Sequence, residues 1–552
     1  MKKFFNKLGQ AVAGRKGIGR SMTVAIIIAV ILFNMLAYSI TNTFGLYAYS
    51  KKVEEYKISG NTDSLFASAM ALDKKVTITF CMTEEKLTLH DTGSFVLDTA
   101  KQFEERYPDF IEIRYVNMLT KMDEYGEIVD FDRYSNVVCS NVLLDESKCN
   151  NVMRYVDVDS SQPTCTKCGG TVDLKKDVVG SFQQSSIIFE SGSGSSYNYR
   201  VLTDNYSGAG FVNFYILDSS NAIVAYNGEE VMAAMISWVL HDEHPTVYFT
   251  QNHGETADIA FSNLLTCSGY YVEIINLRKE EIPADAGMVI ISNPTVDFDL
   301  GVGGGVRGEI EKLDDYLSNG GKLYVSFDPY VKRLPNLENL LIDWGIEISA
   351  TDNDGVLVRD IVRESNEAIT TDGYTFIATY ADSDVGEKVY EKLEKFGTDK
   401  VLISNIAKLN LKDTNKRGAD VQSVLVTGSS ASAYSGGEKV DGSGNYTIAA
   451  CATKTSANGK TGTLFVLPTA YITATNAFIS NTYSNKDFLY AVLEELFGSY
   501  EAPYGCNKIL YESQILENLT MGMARLYTAI VLAIPTCLAI VGTVIIVRRK
   551  NR

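Results

Sequence analysis

Two uncharged apolar stretches, one near each end, constrain this chain more than anything between them. Met22–Leu36 carries no charge, and after Arg20 none appears until Lys51. Leu526–Val547 is 22 uncharged residues, followed at once by Arg548, Arg549, Lys550 and Arg552. A helix of that length reaches about 33 Å, enough to cross a hydrocarbon core. Pro535 is tolerated inside such a helix because neighbouring groups re-satisfy the freed carbonyl. The pattern predicts transmembrane helices over 21–43 and 526–547. Lys2, Lys3, Lys7, Arg15, Lys16 and Arg20 flank the first, with no acid in residues 1–43. Short Lys/Arg-rich flanks resist translocation, so the basic tails 1–20 and 548–552 are expected in the cytoplasm and the bulk of the chain outside. The expectation is a two-pass protein of the cell membrane with both termini cytoplasmic. The rival reading is a cleaved signal peptide ending near Ala37-Tyr38-Ser39, for which the basic region is long.

The charge balance narrows the partners. The chain has 50 basic and 68 acidic residues; setting aside the six and four basic residues of the tails leaves 40 against 68, a net −28 for the exterior part. Such a surface repels nucleic acid and anionic headgroups, so neither is expected to bind. With 45% hydrophobic residues, 43 Gly and 10 Pro among 552, collagen-like and wholly disordered classes are excluded. The length allows about three folded units at ~150 residues each.

No repeat of 20–50 residues is apparent. Short apolar runs alternate with longer helical patterns, which argues α/β with largely parallel, doubly wound sheets in two or three units. A first unit over 44–226 begins with the strand pattern Val76–Phe80, a helix from Phe95 to Tyr107 and a strand from Ile111 to Val116. It carries a Cys-bearing insertion at 139–168. A second unit over 227–360 reads as helix 229–240, strand Thr246–Thr250, a helix with apolar pairs Ala260/Phe261 and Leu264/Leu265, strands Tyr271–Ile275 and Met288–Ser292, helix Glu309–Leu317 and strand Lys322–Phe327. A third, loop-rich unit covers 361–515, with long loops expected over 428–462, a buried strand at Leu464–Leu467 and a helix from Lys486 to Phe497.

Several short motifs in fixed order carry a resemblance. They are Gly228-Glu229-Glu230, Asn252-His253-Gly254-Glu255, Ile282-Pro283-Ala284-Asp285-Ala286, Asn293-Pro294, the run Asp314–Lys322, Phe327-Asp328-Pro329, Pro335-Asn336-Leu337, Trp344-Gly345-Ile346 and, late in the chain, Asn485-Lys486-Asp487-Phe488-Leu489. Together with the two terminal stretches they resemble the Gldg family, auxiliary components of ABC-type transport systems associated with gliding motility. The resemblance implies a class I glutamine-amidotransferase-like α/β domain over 227–360, and partners in a multi-span permease and a cytoplasmic ATPase. The chain departs from the pattern at Asn252, where a Gly-His-Gly-Glu sequence is usual, in a Gly-rich insertion at 301–308, and in the Cys-bearing insertion. A fold likeness does not carry catalysis with it.

The turn 251–255 is the foremost site candidate, because open α/β sheets bind ligands beyond the carboxyl ends of their strands and helix N-termini attract anions. Asn252, His253, Gly254 and Glu255, with Asn293 and Asp328 at two other strand ends, are the expected ligand-binding set. The structural use of these residues weighs more heavily: Asn252 caps the helix, Gly254 supplies a turn, and Glu255 suits a first helical turn. No catalytic residue is expected. A hydrolase on this fold needs a nucleophile flanked by glycines on a strand-to-helix turn, and the nearest match, Leu265-Thr266-Cys267-Ser268-Gly269, lacks the leading glycine and lies late in a helix.

Metal and cofactor signals are thin. His241, Glu243, His244 and His253 are close in sequence, but His241-x-x-His244 precedes Pro245 in what reads as a hydrated loop. Cys165-x-x-Cys168 has the spacing of half a zinc ribbon, yet Cys139 and Cys149 do not form a second Cys-x-x-Cys. Outside the membrane a disulfide among Cys139, Cys149, Cys165 and Cys168 is the first expectation, free thiols the second and zinc the third, with the pairing open. Gly303-x-Gly305-x-x-Gly308 does not follow a strand directly, and Asn458-Gly459-Lys460-Thr461 lacks the first glycine of a phosphate loop, so no nucleotide or other cofactor is expected. The resulting expectation is a non-catalytic, membrane-anchored auxiliary subunit of an ABC-type transport system, with substrate binding as a candidate role. The alternatives are a cell-envelope scaffold independent of a transporter and a degenerate amidotransferase-like hydrolase.

Overall fold

The computed structural model describes residues 56–72, 74–142, 149–180, 182–203, 211–218, 220–255, 258–301, 307–480 and 482–511. The chain divides into Met1–Tyr56 and Lys57–Arg552, and the described helices and strands all lie in the second unit.

Strand β1 (Val76–Phe80) pairs in parallel with β2 (Ile111–Asn117) across the helix α1 (Gly93–Arg106). Then comes the Cys-bearing insertion, with three short antiparallel strands, β3 (Asn136–Val138), β4 (Val152–Arg154) and β5 (Val178–Val179). The chain returns as β6 (Ile187–Ser191) and β7 (Asn198–Leu202), both antiparallel, with β6 lying against β1. Among the described residues, the β1–β2 pairing is the one parallel pairing of this first sheet.

Helix α2 (Gly228–Leu240) is buried along its whole length, as a run of Val, Met, Ala, Ile, Trp and Leu without a polar face requires. It packs against β6, β7, α1 and α3 (Ile259–Cys267). The second sheet has ten strands among the described residues. Its parallel half is ordered β9 (Tyr271–Ile275), β8 (Thr246–Thr250), β10 (Met288–Ser292) and β11 (Lys322–Ser326). Every residue of β10 is buried, as expected of a parallel strand covered on both faces. Helix α4 (Glu309–Ser318) covers this half with Leu313 and Leu317, and α5 (Pro335–Asp343) with Leu337, Leu340 and Leu341.

The other half is antiparallel. It comprises β12 (Ile346–Ile348), β13 (Thr379–Tyr380), β14 (Leu409–Leu411), β15 (Asp420–Val426), β16 (Thr447–Thr455) and β17 (Thr461–Leu467). The join is β17, parallel to β11 on one side and antiparallel to β16 on the other. Strands drawn from 227–360 and from 361–515 thus share one sheet. Helix α6 (Asp384–Glu394) packs on β15, and α7 (Asn485–Val492) packs against α6.

Three expectations are corrected. The sheets are mixed, with many antiparallel strands, rather than largely parallel and doubly wound. The segment 428–462, expected as loops, holds the nine-residue β16, whose Ile448–Ala452 core is buried. Among the described residues no helix is long and apolar enough to cross a membrane. The expected spans 21–43 and 526–547 lie outside the described residues, and the flanking transmembrane helices and two-pass placement are not upheld.

Candidate functional site

The carboxyl ends of β8, β10 and β11 lie side by side, so the turn 251–255, Asn293 and Asp328 sit on one edge of the sheet. Beyond β8 the backbone enters the left-handed region twice, at Asn252 (φ +80°) and Gly254 (φ +79°). This double reversal turns the His253 ring inward, where it is fully buried and stacks on Phe298 with ring centroids 3.8 Å apart. His253 Nδ1 lies 2.9 Å from Glu255 Oε1, and Nε2 lies 2.9 Å from Glu309 Oε2. Glu255 also accepts from the His253 backbone N–H at 2.6 Å and from Thr250 Oγ1 at 2.9 Å. Glu309 accepts from the Asp299 N–H at 2.9 Å.

Burial opposes charge on this imidazole, but its two carboxylate partners outweigh it and hold the His253 pKa above the ordinary histidine value. Burial likewise opposes ionisation of Glu255, and the His253 ring together with backbone N–H donors overcomes it, lowering that pKa. The arrangement is a closed carboxylate–imidazole–carboxylate bridge tying the β8 turn to the start of α4. It presents no ring nitrogen to solvent. The sequence points to His253 and Glu255 but not to Glu309, whose place in the bridge depends on α4 starting opposite the turn.

Asn293 and Asp328 are bonded to neighbouring backbone at the strand ends, while Asn252 is exposed. Asn293, left-handed at φ +59°, accepts the Asp328 N–H at 2.8 Å, and its own N–H donates to Ser326 O at 2.8 Å. Asp328 accepts from the Tyr330 N–H at 2.9 Å. Asn252 does not cap a helix: Asp258 does so for α3, accepting from Phe261 N at 2.9 Å. Asp297 caps α5 through the N–H groups of Asn336 (2.8 Å) and Leu337 (3.2 Å). Trp344 Nε1 donates to Asp314 Oδ1 at 3.2 Å.

Two motifs far apart in sequence meet. Lys486 is ion-paired with Glu230, which also accepts from Tyr490 Oη at 2.6 Å. Glu229 accepts from Ser59 Oγ at 2.6 Å and from Asn507 N at 2.8 Å. A cavity of about 360 Å³ opens beside them, lined among others by Asp487, Cys506 and Lys508.

The histidines do not converge on a metal. His241 Nδ1 donates to Ser237 O at 2.8 Å and its ring stacks on Tyr500. His244 stacks on Trp238 at 4.0 Å, and burial pulls its pKa down to about 4. Cys267 ends α3, and burial pushes its thiol up to about 11, which removes the thiolate a nucleophile needs.

The cysteines of the insertion do converge. Cys139, Cys149, Cys165 and Cys168 are free thiols whose sulfurs all lie within 4.8 Å of one another. The pairs Cys139–Cys168 and Cys149–Cys165 have Sγ–Sγ distances of 3.6 and 3.7 Å, far beyond the ~2.05 Å of a disulfide bond. The extracytoplasmic placement that favoured a disulfide is itself not upheld.

No family model and no curated protein matches the chain. Among solved structures, a chain in "Structure of PurLQS from Thermotoga maritima" is similar over 46% of this chain and 99% of that one, at 12% identity and a TM-score of 0.24.

Proposed function

We propose that the protein is a non-catalytic auxiliary component of an ABC-type transport system, working beside a permease and an ATPase subunit and acting through its surface rather than through turnover. The ordered motifs that resemble the Gldg family support the partners. One observation carries the non-catalytic reading: the side chain at the centre of the foremost motif, His253, is 0% exposed and bonded on both ring nitrogens to carboxylates. A general base must reach the proton it abstracts, and this imidazole reaches only Glu255 and Glu309. The motif residues Asn293, Asp328, Glu230 and Lys486 are likewise engaged in internal bonds.

The test is affinity purification of the full chain from its own cells in mild detergent, followed by mass spectrometry. Recovery of a permease and an ATPase in fixed ratio supports the proposal. A lone monomer under several detergents overturns it, as does retention of envelope polymer without transporter subunits. Amide or ester turnover abolished by Cys267→Ala or His253→Ala would overturn the non-catalytic part.

A further inference from the structure

The insertion between β2 and β6 is a small fold with little to hold it together. Its buried hydrophobic cluster consists of Val137, Cys139, Cys149, Met153, Val158, Cys165 and Val172, so three of seven members are cysteines. Its sheet strands, β3, β4 and β5, are two or three residues long. Folds of about 40 residues do not bury enough apolar surface to stand without a disulfide, a metal or a partner. The four thiols are free, so no disulfide supplies the staple.

Their geometry matches a single tetrahedral ion. Four thiolates at ~2.3 Å from zinc place their sulfurs ~3.8 Å apart, against 3.6 Å for Cys139–Cys168 and 3.7 Å for Cys149–Cys165. Each of these edges joins one cysteine from the β3–β4 hairpin to one from the Cys165–Cys168 turn. The sulfurs, all within 4.8 Å of one another, leave no room for a polynuclear iron–sulfide core.

The backbone around the sulfurs is arranged for negative charge. The N–H groups of Asn141 and Asn151 turn to the sulfurs of Cys139 and Cys149, each two residues back. Those of Lys167 and Cys168 turn to Cys165, and that of Gly170 to Cys168. Two side chains add to them. Asn141 Nδ2 lies 3.2 Å from Cys139 Sγ and 3.7 Å from Cys168 Sγ, and Asn151 Nδ2 lies 3.5 Å from Cys165 Sγ. The hairpin also closes on itself, Cys149 N donating to Asn141 O at 2.8 Å and Cys139 N to Asn151 O at 2.9 Å. Donors aimed at sulfur orient metal-bound thiolates as they do other ligands.

We propose that Cys139, Cys149, Cys165 and Cys168 bind one structural zinc ion that holds the insertion folded. Zinc has no redox chemistry and takes four thiolates tetrahedrally, and the need here is for a staple. Thiols still protonated release their protons to solvent on binding, and no oxidant or reductant takes part. The long Cys139–Cys149 spacing is accommodated because the hairpin, rather than a short turn, brings the first two ligands together.

The test uses the full chain, purified without chelator from zinc-replete cells. Elemental analysis is expected to give about one zinc per chain, and the Cys165→Ser/Cys168→Ser variant to lose it. Exchange with cobalt is expected to give the near-ultraviolet thiolate charge-transfer band and the red d–d bands of a tetrahedral four-thiolate site. Asn141→Ala, which leaves all four ligands in place, is expected to weaken zinc binding about 10–100-fold in a competition titration with a chromophoric chelator. Substoichiometric metal with four thiols titrating freely, a disulfide among the four in non-reducing peptide maps, or iron in place of zinc would each overturn the proposal. Because metal content and the cobalt spectrum are read on the wild-type chain, a cysteine variant that fails to fold does not blunt the test.

Discussion

Glu230 and Lys486 form an ion pair inside the protein although 256 residues separate them. Both side chains are more than nine-tenths buried, at 4% and 8% exposed. Removing one partner strands the other's charge. Lys486→Met is expected to destabilise the protein by about 3–5 kcal/mol, measured by urea unfolding. Adding Glu230→Gln removes that charge while keeping an acceptor for Tyr490 Oη, and the double variant should recover more than half of the loss. Equal losses in the single and double variants would mean that the pair matters through packing alone.

The His253 bridge makes stability depend on pH in a defined window. The folded pKa of His253 is raised, so its contribution is complete below the ordinary value of 6.5 and fades as pH climbs through the higher folded value. Glu255 is lowered, so its contribution is present above the ordinary 4.5 and fades as pH falls through the folded value. Between these limits the bridge stabilises most. The wild type's advantage in urea midpoint over His253→Gln should therefore be larger at about pH 5.5 than at about pH 8.5.

Gly254 is constrained twice. It sits at φ +79°, and a Cβ there would lie 2.0 Å from Thr295 Oγ1. Gly254→Ala is expected to cost about 2–3 kcal/mol. Pairing it with Thr295→Ala removes the collision but not the left-handed backbone, so a residual cost of about 1 kcal/mol should remain.

Gly462, at the start of β17, meets a different obstacle. A Cβ there would lie 2.0 Å from the carbonyl oxygen of Leu317 at the end of α4, and 3.2 Å from Trp344. Gly462→Ala is therefore expected to lower stability by about 1–3 kcal/mol, with a fall in thermal midpoint as the readout. No neighbouring side chain can be trimmed to relieve a collision with backbone.

How much of the fold and the site is legible in the sequence depends on which force sets each feature. The bounds of β8 and the largely exposed β9 follow from β-branched and aromatic residues between turn signals. Those of β10 follow from an apolar run between turn signals, because a strand buried on both faces must be apolar throughout. β16 escapes that rule. Its Ala449, Ala450, Cys451 and Ala452 are buried yet small, since close neighbours fill the space, and stretches rich in small residues read as loop. The mixed pairing is set by where β16 and β17 dock, a long-range choice that local pattern does not record. At the candidate site the residue types are visible and their direction is not. Two left-handed residues turn His253 inward to Glu309, 56 positions later. The Cys165-x-x-Cys168 spacing stands out, whereas Cys139 and Cys149 are joined only by the β3–β4 hairpin.

The placement of β17 has a consequence for synthesis. Lys322 pairs with Thr463 across the join, so the ribosome delivers one flank of β11 long before the strand that covers it. Throughout that interval a nascent chain displays a row of unanswered amide and carbonyl groups, the kind of edge that recruits strands from other molecules. A product terminated ahead of Thr461 keeps that edge permanently, and its expected fate is capture by a chaperone or deposition in aggregates.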